Sequence, residues 1–167
     1  MNTTLRKRTY EWGDPLEGAA KAKSMSGFEY LTAINNDEIP PPPLMVTLGF
    51  EKPDIKQGEA TFYFKPEEYH YNPIGSVHGG VVSAILDSVM GCTLQTTLPT
   101  GVGYTTLELK VNFLKAVSYQ TGRMIATGRI IHSGKSTALI EGSLADEKGT
   151  VYAHGVSTCM LFPFNNK

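Results

Sequence analysis

From Val81 to Leu94 the chain reads VVSAILDSVMGCTL, a run with apolar or small residues on nearly every side and one charge, Asp87. On a helix of about 100° per residue, Val81, Val82, Ile85, Leu86, Val89 and Cys92 share one face, and Ser83, Asp87, Gly91 and Leu94 lie roughly opposite. A lone Asp on an ordinary helix faces solvent. Here Ala84, Met90 and Leu94 flank it, so the second face is itself poor in polar groups. A helix apolar on both sides is packed on both sides. A carboxylate in such a place is desolvated, and it is either paired or kept for chemistry.

The approach to this helix carries the second clue, His78-Gly79-Gly80. Two glycines let a ligand come close to the backbone, and the free N–H groups of a helix start, with the macrodipole behind them, stabilise developing negative charge. A Gly-Gly before a helix also serves as a plain loop device. It gains meaning from its company: Asn72 lies six residues before His78 and Asp87 nine after it.

Composition narrows the class. With 167 residues, 41% hydrophobic and 19% charged, the chain suits one domain with a real core. A formal net charge of -1 without a basic stripe argues against nucleic acid as a partner. The apolar stretches fall short of a membrane span, and MNTTLRKRTYEW has basic residues with no apolar h-region behind them, so a cytoplasmic location is expected. Cys92 and Cys159 lie far apart inside apolar patterns, which suits reduced, buried thiols. No CxxC or HExxH occurs, and His70, His132 and His154 make no metal-ligand spacing with His78. Neither a metal nor a cofactor is expected.

Along the chain, Asp14 followed by Pro15 predicts a helix start that continues to Gly27, and GFEYLTAINNDE a second short helix. The prolines of IPPPPL, residues 39 to 44, predict a linker. Beyond it LMVTLGFE and GEATFYFKP read as strands. After a helix over residues 78 to 97, four more strands are predicted: YTTLELKVNFLKA, GRMIATGRIIHS, STALIEGSLAD and TVYAHGVSTCMLF. The expectation is an α+β layer, five or six antiparallel strands around one central helix. A helical extension with its proline linker would occupy 1 to 43, and the main domain 44 to 167.

Asn72, Gly75, His78, Gly79, Gly80, Leu86 and Asp87, followed by Thr106 and the run Glu108 to Phe113, form a set. It resembles the hotdog-fold acyl-CoA thioesterases of the phenylacetic-acid-degradation (PaaI-type) family. The resemblance spans roughly residues 44 to 163 and reaches WGDP, SGFEYL and PPPLMVTLGF in the extension. It implies a curved antiparallel sheet wrapped around a long helix. It also implies that Gly79 N–H polarises a thioester carbonyl and that Asp87 acts as nucleophile or general base. Asn72 and His78 would orient the carbonyl or the water, and Thr106 stands where some members have a serine that positions the water. Gly80 would lie against the substrate.

Such a small set of groups suits a thioester. A thiol with a pKa of about 8.5 leaves as thiolate near neutral pH, whereas an amine must first be protonated. A glycosidase would want a carboxylate pair, and GxSxG, the mark of a serine hydrolase, is absent. Lys115, Arg129 and Lys135 are candidates for the phosphates of CoA. A non-catalytic acyl-CoA-binding protein is the main alternative, although binding a neutral thioester gains nothing from a buried carboxylate. A hydratase would need a His paired with an acid across a C–C bond, which HGG followed by Asp87 does not offer. One sheet around one helix leaves edges uncovered, which predicts a homodimer joined by edge strands, and the resemblance suggests a homotetramer.

Overall fold

In a computed structural model the chain is described over residues 4–164; Met1–Thr3 of the expected extension and Asn165–Lys167 lie outside that range. Six strands form one antiparallel sheet in the order β1-β2-β4-β5-β6-β3. They are β1 (Asp54–Lys56), β2 (Glu59–Phe64), β3 (Val102–Phe113), β4 (Met124–Ser133), β5 (Thr137–Asp146) and β6 (Val151–Pro163). The long helix α4 (Gly79–Gln95) lies in the concave side of the sheet, as the sequence predicts for residues 78 to 97.

Its packing follows from the sequence on both partners. Val82, Ile85, Leu86, Val89, Met90 and Leu94 are at most 3% exposed, and they meet Phe62, Phe64, Met124, Ile140 and Leu144 from alternate positions of β2, β4 and β5. Close approach is possible because Gly128, Gly142 and Gly155 pair across β4, β5 and β6 in one row under the helix. A methyl group on Gly142 would come within 2.8 Å of Met90 Cγ, and one on Gly128 within 2.5 Å of Thr93 Oγ1.

The extension begins with α1 (Pro15–Ala22), which Asp14 caps by accepting the Leu16 N–H at 2.8 Å. Helix α2 (Gly27–Asn35) opens on a capping box between Ser26 and Glu29. It is pinned to the segment just after α4 by a hydrogen bond from Gly27 N–H to the Leu98 carbonyl at 3.0 Å. The segment after it departs from expectation. LMVTLGFE is not a strand; Pro43–Leu48 forms a short helix, α3, and only Phe50 makes an isolated bridge, to Phe64. Pro43 sits at the first helical position, where its missing N–H costs nothing, and Gly49 ends the helix in the left-handed conformation at φ 68°. Ile39, assigned to the linker, is 2% exposed and packs with Leu31, Ala33 and Ile34 of α2. Among the described residues no helix is long and apolar enough to cross a membrane.

Candidate active site

The second face of α4 is covered by the edge strand β3, which runs antiparallel to it. Gly79, Ser83, Asp87 and Gly91 follow one another at four-residue spacing and so form one stripe. Tyr104 meets that stripe at Gly91, Thr106 at Asp87 and Phe113 at Gly79. A methyl group on Gly91 would lie 2.2 Å from the Tyr104 hydroxyl oxygen, and one on Gly79 3.1 Å from Phe113 Cζ. The register of β3 against β6 shifts between Thr106 and Glu108, a bulge that leaves Leu107 58% exposed. It lets Thr106 and Leu109, three positions apart, both face the helix.

Asp87 is half-buried, and its Oδ1 accepts the Thr106 hydroxyl at 2.9 Å. No cation reaches it among the described residues. The titratable groups near it are neutral. Burial above all, with the Asp87 charge adding to it, pushes the Cys92 thiol up to about 12. Burial likewise holds the Tyr104 phenol well above its ordinary range and raises the Cys159 thiol, so none of the three ionises at neutral pH.

At the start of α4 His78 is the cap. Its Nδ1 accepts the Gly80 N–H at 2.8 Å, and its carbonyl accepts the Val81 N–H at 2.9 Å. The Gly79 N–H has no acceptor among the described residues, which leaves it as the open donor of the first turn. It lines a cavity of about 350 Å³ together with Asn72, Phe113, Lys115 and Tyr152. Asn72 is engaged in shaping the loop there: its Oδ1 accepts the N–H of Ile74 at 3.1 Å and of Ser76 at 3.2 Å.

The structure thus brings Gly79, Asn72 and Lys115 to one cavity, with His78 and Gly80 joined beside it, and Asp87 with Thr106 to a second place two turns along α4. Lys135 belongs elsewhere. It lines a separate cavity with Thr97, Pro99 and Phe162, beyond the opposite end of α4. Arg129 is engaged with Glu141, at 2.6 Å, on the outer side of the sheet. Sequence reasoning missed Phe113 over Gly79 and Tyr104 over Gly91. The signal for both was the four-residue spacing of the stripe, with β3 as the aromatic strand able to cover it. No group of His, Cys, Asp and Glu able to hold a metal occurs among the described residues.

Comparison with known proteins gives a consistent result. Residues 74–153 match the Thioesterase superfamily. The chain is 30% identical over 104 residues to the 1,4-dihydroxy-2-naphthoyl-CoA hydrolase of Listeria monocytogenes serotype 1/2a (strain 10403S), covering 62% of this chain and 83% of that one. A phenylacetic acid degradation-related protein from Ralstonia eutropha JMP134 superposes with a TM-score of 0.71 at 27% identity, over 78% of this chain and 98% of that one. The E. coli PaaI protein from the phenylacetic acid degradation operon shares the fold, with a TM-score of 0.69 at 18% identity over 83% and 96% of the two chains.

Proposed function

The chain belongs to the thioesterase superfamily and is a hotdog-fold thioester hydrolase, and on that premise we propose that it acts on acyl-CoA, with Asp87 its general base and the Gly79 N–H its oxyanion donor. One observation carries the proposal: a single stripe of α4 holds an N–H without an acceptor and a carboxylate anchored through one oxygen. Thr106 occupies Oδ1 and leaves Oδ2 to take a proton from water. The water attacks the carbonyl carbon, the oxyanion forms against Gly79, and the thiolate departs without needing an acid.

Gly79 and Asp87 of one chain do not act together. Eight helical residues separate them by about 12 Å, too far to serve one carbonyl. Two copies with antiparallel α4 helices bring Gly79 of each to Asp87 of the other. The outer edge of β3, beside which Leu107, Phe113 and the following Leu114 are all more than half exposed, is the surface we assign to that pairing. Pairs of such dimers would make the tetramer. Residues 44–167 form the catalytic unit in this reading, and 1–43 extend it. An aromatic acyl group is the class we favour, on the similarity to the Listeria hydrolase. The test is free-thiol release from a panel of aryl-, short- and medium-chain acyl-CoA esters by wild type and Asp87→Asn. The variant should fold normally and turn over roughly 10² times more slowly or worse, since the base is lost and the oxyanion donor kept. Near wild-type turnover by Asp87→Asn would defeat the mechanism.

A further inference from the structure

A groove of about 700 Å³ lies between residues 6–8, the segment that precedes α4 and the connection that follows β3. Its walls are charged and aromatic, with Arg6 and Lys7 on one side and Glu67, Glu68, Tyr71 and Tyr119 on the other. Tyr71 and Tyr119 stack with ring centroids 6.2 Å apart, and the Tyr119 N–H fixes the pair by donating to Tyr71 Oη at 3.0 Å. Tyr69 and Tyr119 are about half exposed, at 50% and 53%. A flat ring can therefore lie on Tyr119, whereas Tyr69 already carries the Arg8 guanidinium on its face.

The cations differ in what they are free to do. Arg8 is committed, stacked 4.0 Å over Tyr69 and donating to the Val46 carbonyl at 3.0 Å and to that of Thr47. Arg6 pairs with Glu68, an ion pair with both side chains more than half exposed, which a phosphate can displace at little cost. Lys7 is exposed and meets no carboxylate among the described residues. Aromatic faces beside cations are what a nucleotide carrying phosphates requires.

The position of the groove says which nucleotide. Its lining neighbours that of the cavity at Gly79 along the chain: Tyr71 lines the groove and Asn72 the cavity, and Val117 lines the cavity two residues before Tyr119. A molecule with its thioester at Gly79 and a long flexible arm passes this wall and reaches Tyr71 and Tyr119. We propose that the groove formed by Arg6, Lys7, Tyr71 and Tyr119 binds the 3′-phosphoadenosine diphosphate end of the CoA thioester, so that the start of the chain is part of the substrate site. The inference rests on the acyl-CoA hydrolase reading above. It adds to that reading a site between the extension and the main domain, built from residues outside the Gly79 and Asp87 machinery.

The test compares a CoA thioester with the pantetheine thioester of the same acid, which lacks the nucleotide, and titrates 3′-phosphoadenosine 5′-diphosphate alone by calorimetry. Arg6→Ala/Lys7→Ala should raise KM for the CoA ester about tenfold with kcat unchanged. Variant and wild type should converge on the pantetheine ester. The nucleotide should bind wild type and inhibit the CoA ester competitively, and Tyr119→Ala should weaken its binding. Equal losses on both esters would mean a structural role and overturn the proposal, as would an unchanged KM. Nucleotide binding that alters pantetheine-ester turnover without competing with the CoA ester would make the groove a separate regulatory site and overturn the assignment to substrate. If wild type hydrolyses neither ester, the hydrolase reading fails by itself; calorimetry then still decides whether the groove takes the nucleotide.

Discussion

A carboxylate anchored by one hydroxyl can be tested separately from the carboxylate itself. Thr106 contributes one hydrogen bond to Asp87 Oδ1 at 2.9 Å, so Thr106→Val should reduce kcat about tenfold, and Thr106→Ser should restore most of it. Steady-state rates on one acyl-CoA ester check this, and equal activity in all three proteins would show that Asp87 needs no anchor. Further along the stripe, Gly91→Ala places a methyl group 2.2 Å from Tyr104 Oη and should destabilise by about 1–3 kcal/mol through overpacking. Tyr104→Leu in the same chain should recover part of that loss, a coupling that urea denaturation of both single variants and the double variant measures. Asp87 was legible because one charge in an apolar helix demands an explanation. Phe113 was not, because the bulge after Thr106 breaks the strand's alternation, and positions beyond it cannot be assigned inward or outward by counting from Thr106.

Elements were legible where their ends carry their own chemistry and misread where the neighbours decide. Asp14-Pro15 announces α1, whereas LMVTL has strand-forming residues and becomes helical between Pro43 and Gly49. Part of the reason is remote in sequence: Arg8 donates to the carbonyls of Val46 and Thr47, which end the helix. A second remote tie gives a pH-dependent prediction. The His70 ring, 3% exposed, accepts the Glu67 N–H on Nδ1 at 2.9 Å and faces the Leu48 carbonyl from Nε2 at 2.8 Å, which defines a neutral ring with its proton on Nε2. Burial, the largest cause, lowers its pKa below the ordinary value of 6.5. Above that value the ring is neutral in both states. Below it the unfolded chain takes up a proton that the folded chain refuses, so stability falls as pH falls from about 6.5 toward the lowered folded value. Melting temperatures from pH 7.5 to 5.5 should therefore drop more steeply for wild type than for His70→Gln, and parallel curves would remove His70 as the cause.

At the scale of the whole molecule, the antiparallel sheet and its central helix followed from period and turns, but the order of strands did not. β3 follows α4 in the chain yet lies at the sheet's edge beyond β6, and nothing in TTLELKVNF marks it as an edge strand. The assembly proposed here depends on that position. Light scattering at micromolar concentration should find at least a dimer, and a stable monomer would contradict the shared site. The stricter test mixes two inactive chains. Asp87→Asn removes the base. Gly79→Pro removes the donor at the first position of α4, where proline fits the helix and where His78, at φ -61° and ψ 135°, already has the extended backbone a following proline prefers. Phe113 has to give slightly, since a Cβ at Gly79 lies 3.1 Å from its Cζ, and this ring is 57% exposed. Unfolded and refolded together in equal amounts, half the dimers are hybrids, each with one intact site and one doubly damaged. Random mixing should thus restore roughly a quarter of wild-type sites. With hybrids verified by mass spectrometry, no recovery would place Gly79 and Asp87 in the same site of one chain. That arrangement would require α4 to bend back on itself, which a continuous helix from Gly79 to Gln95 does not do.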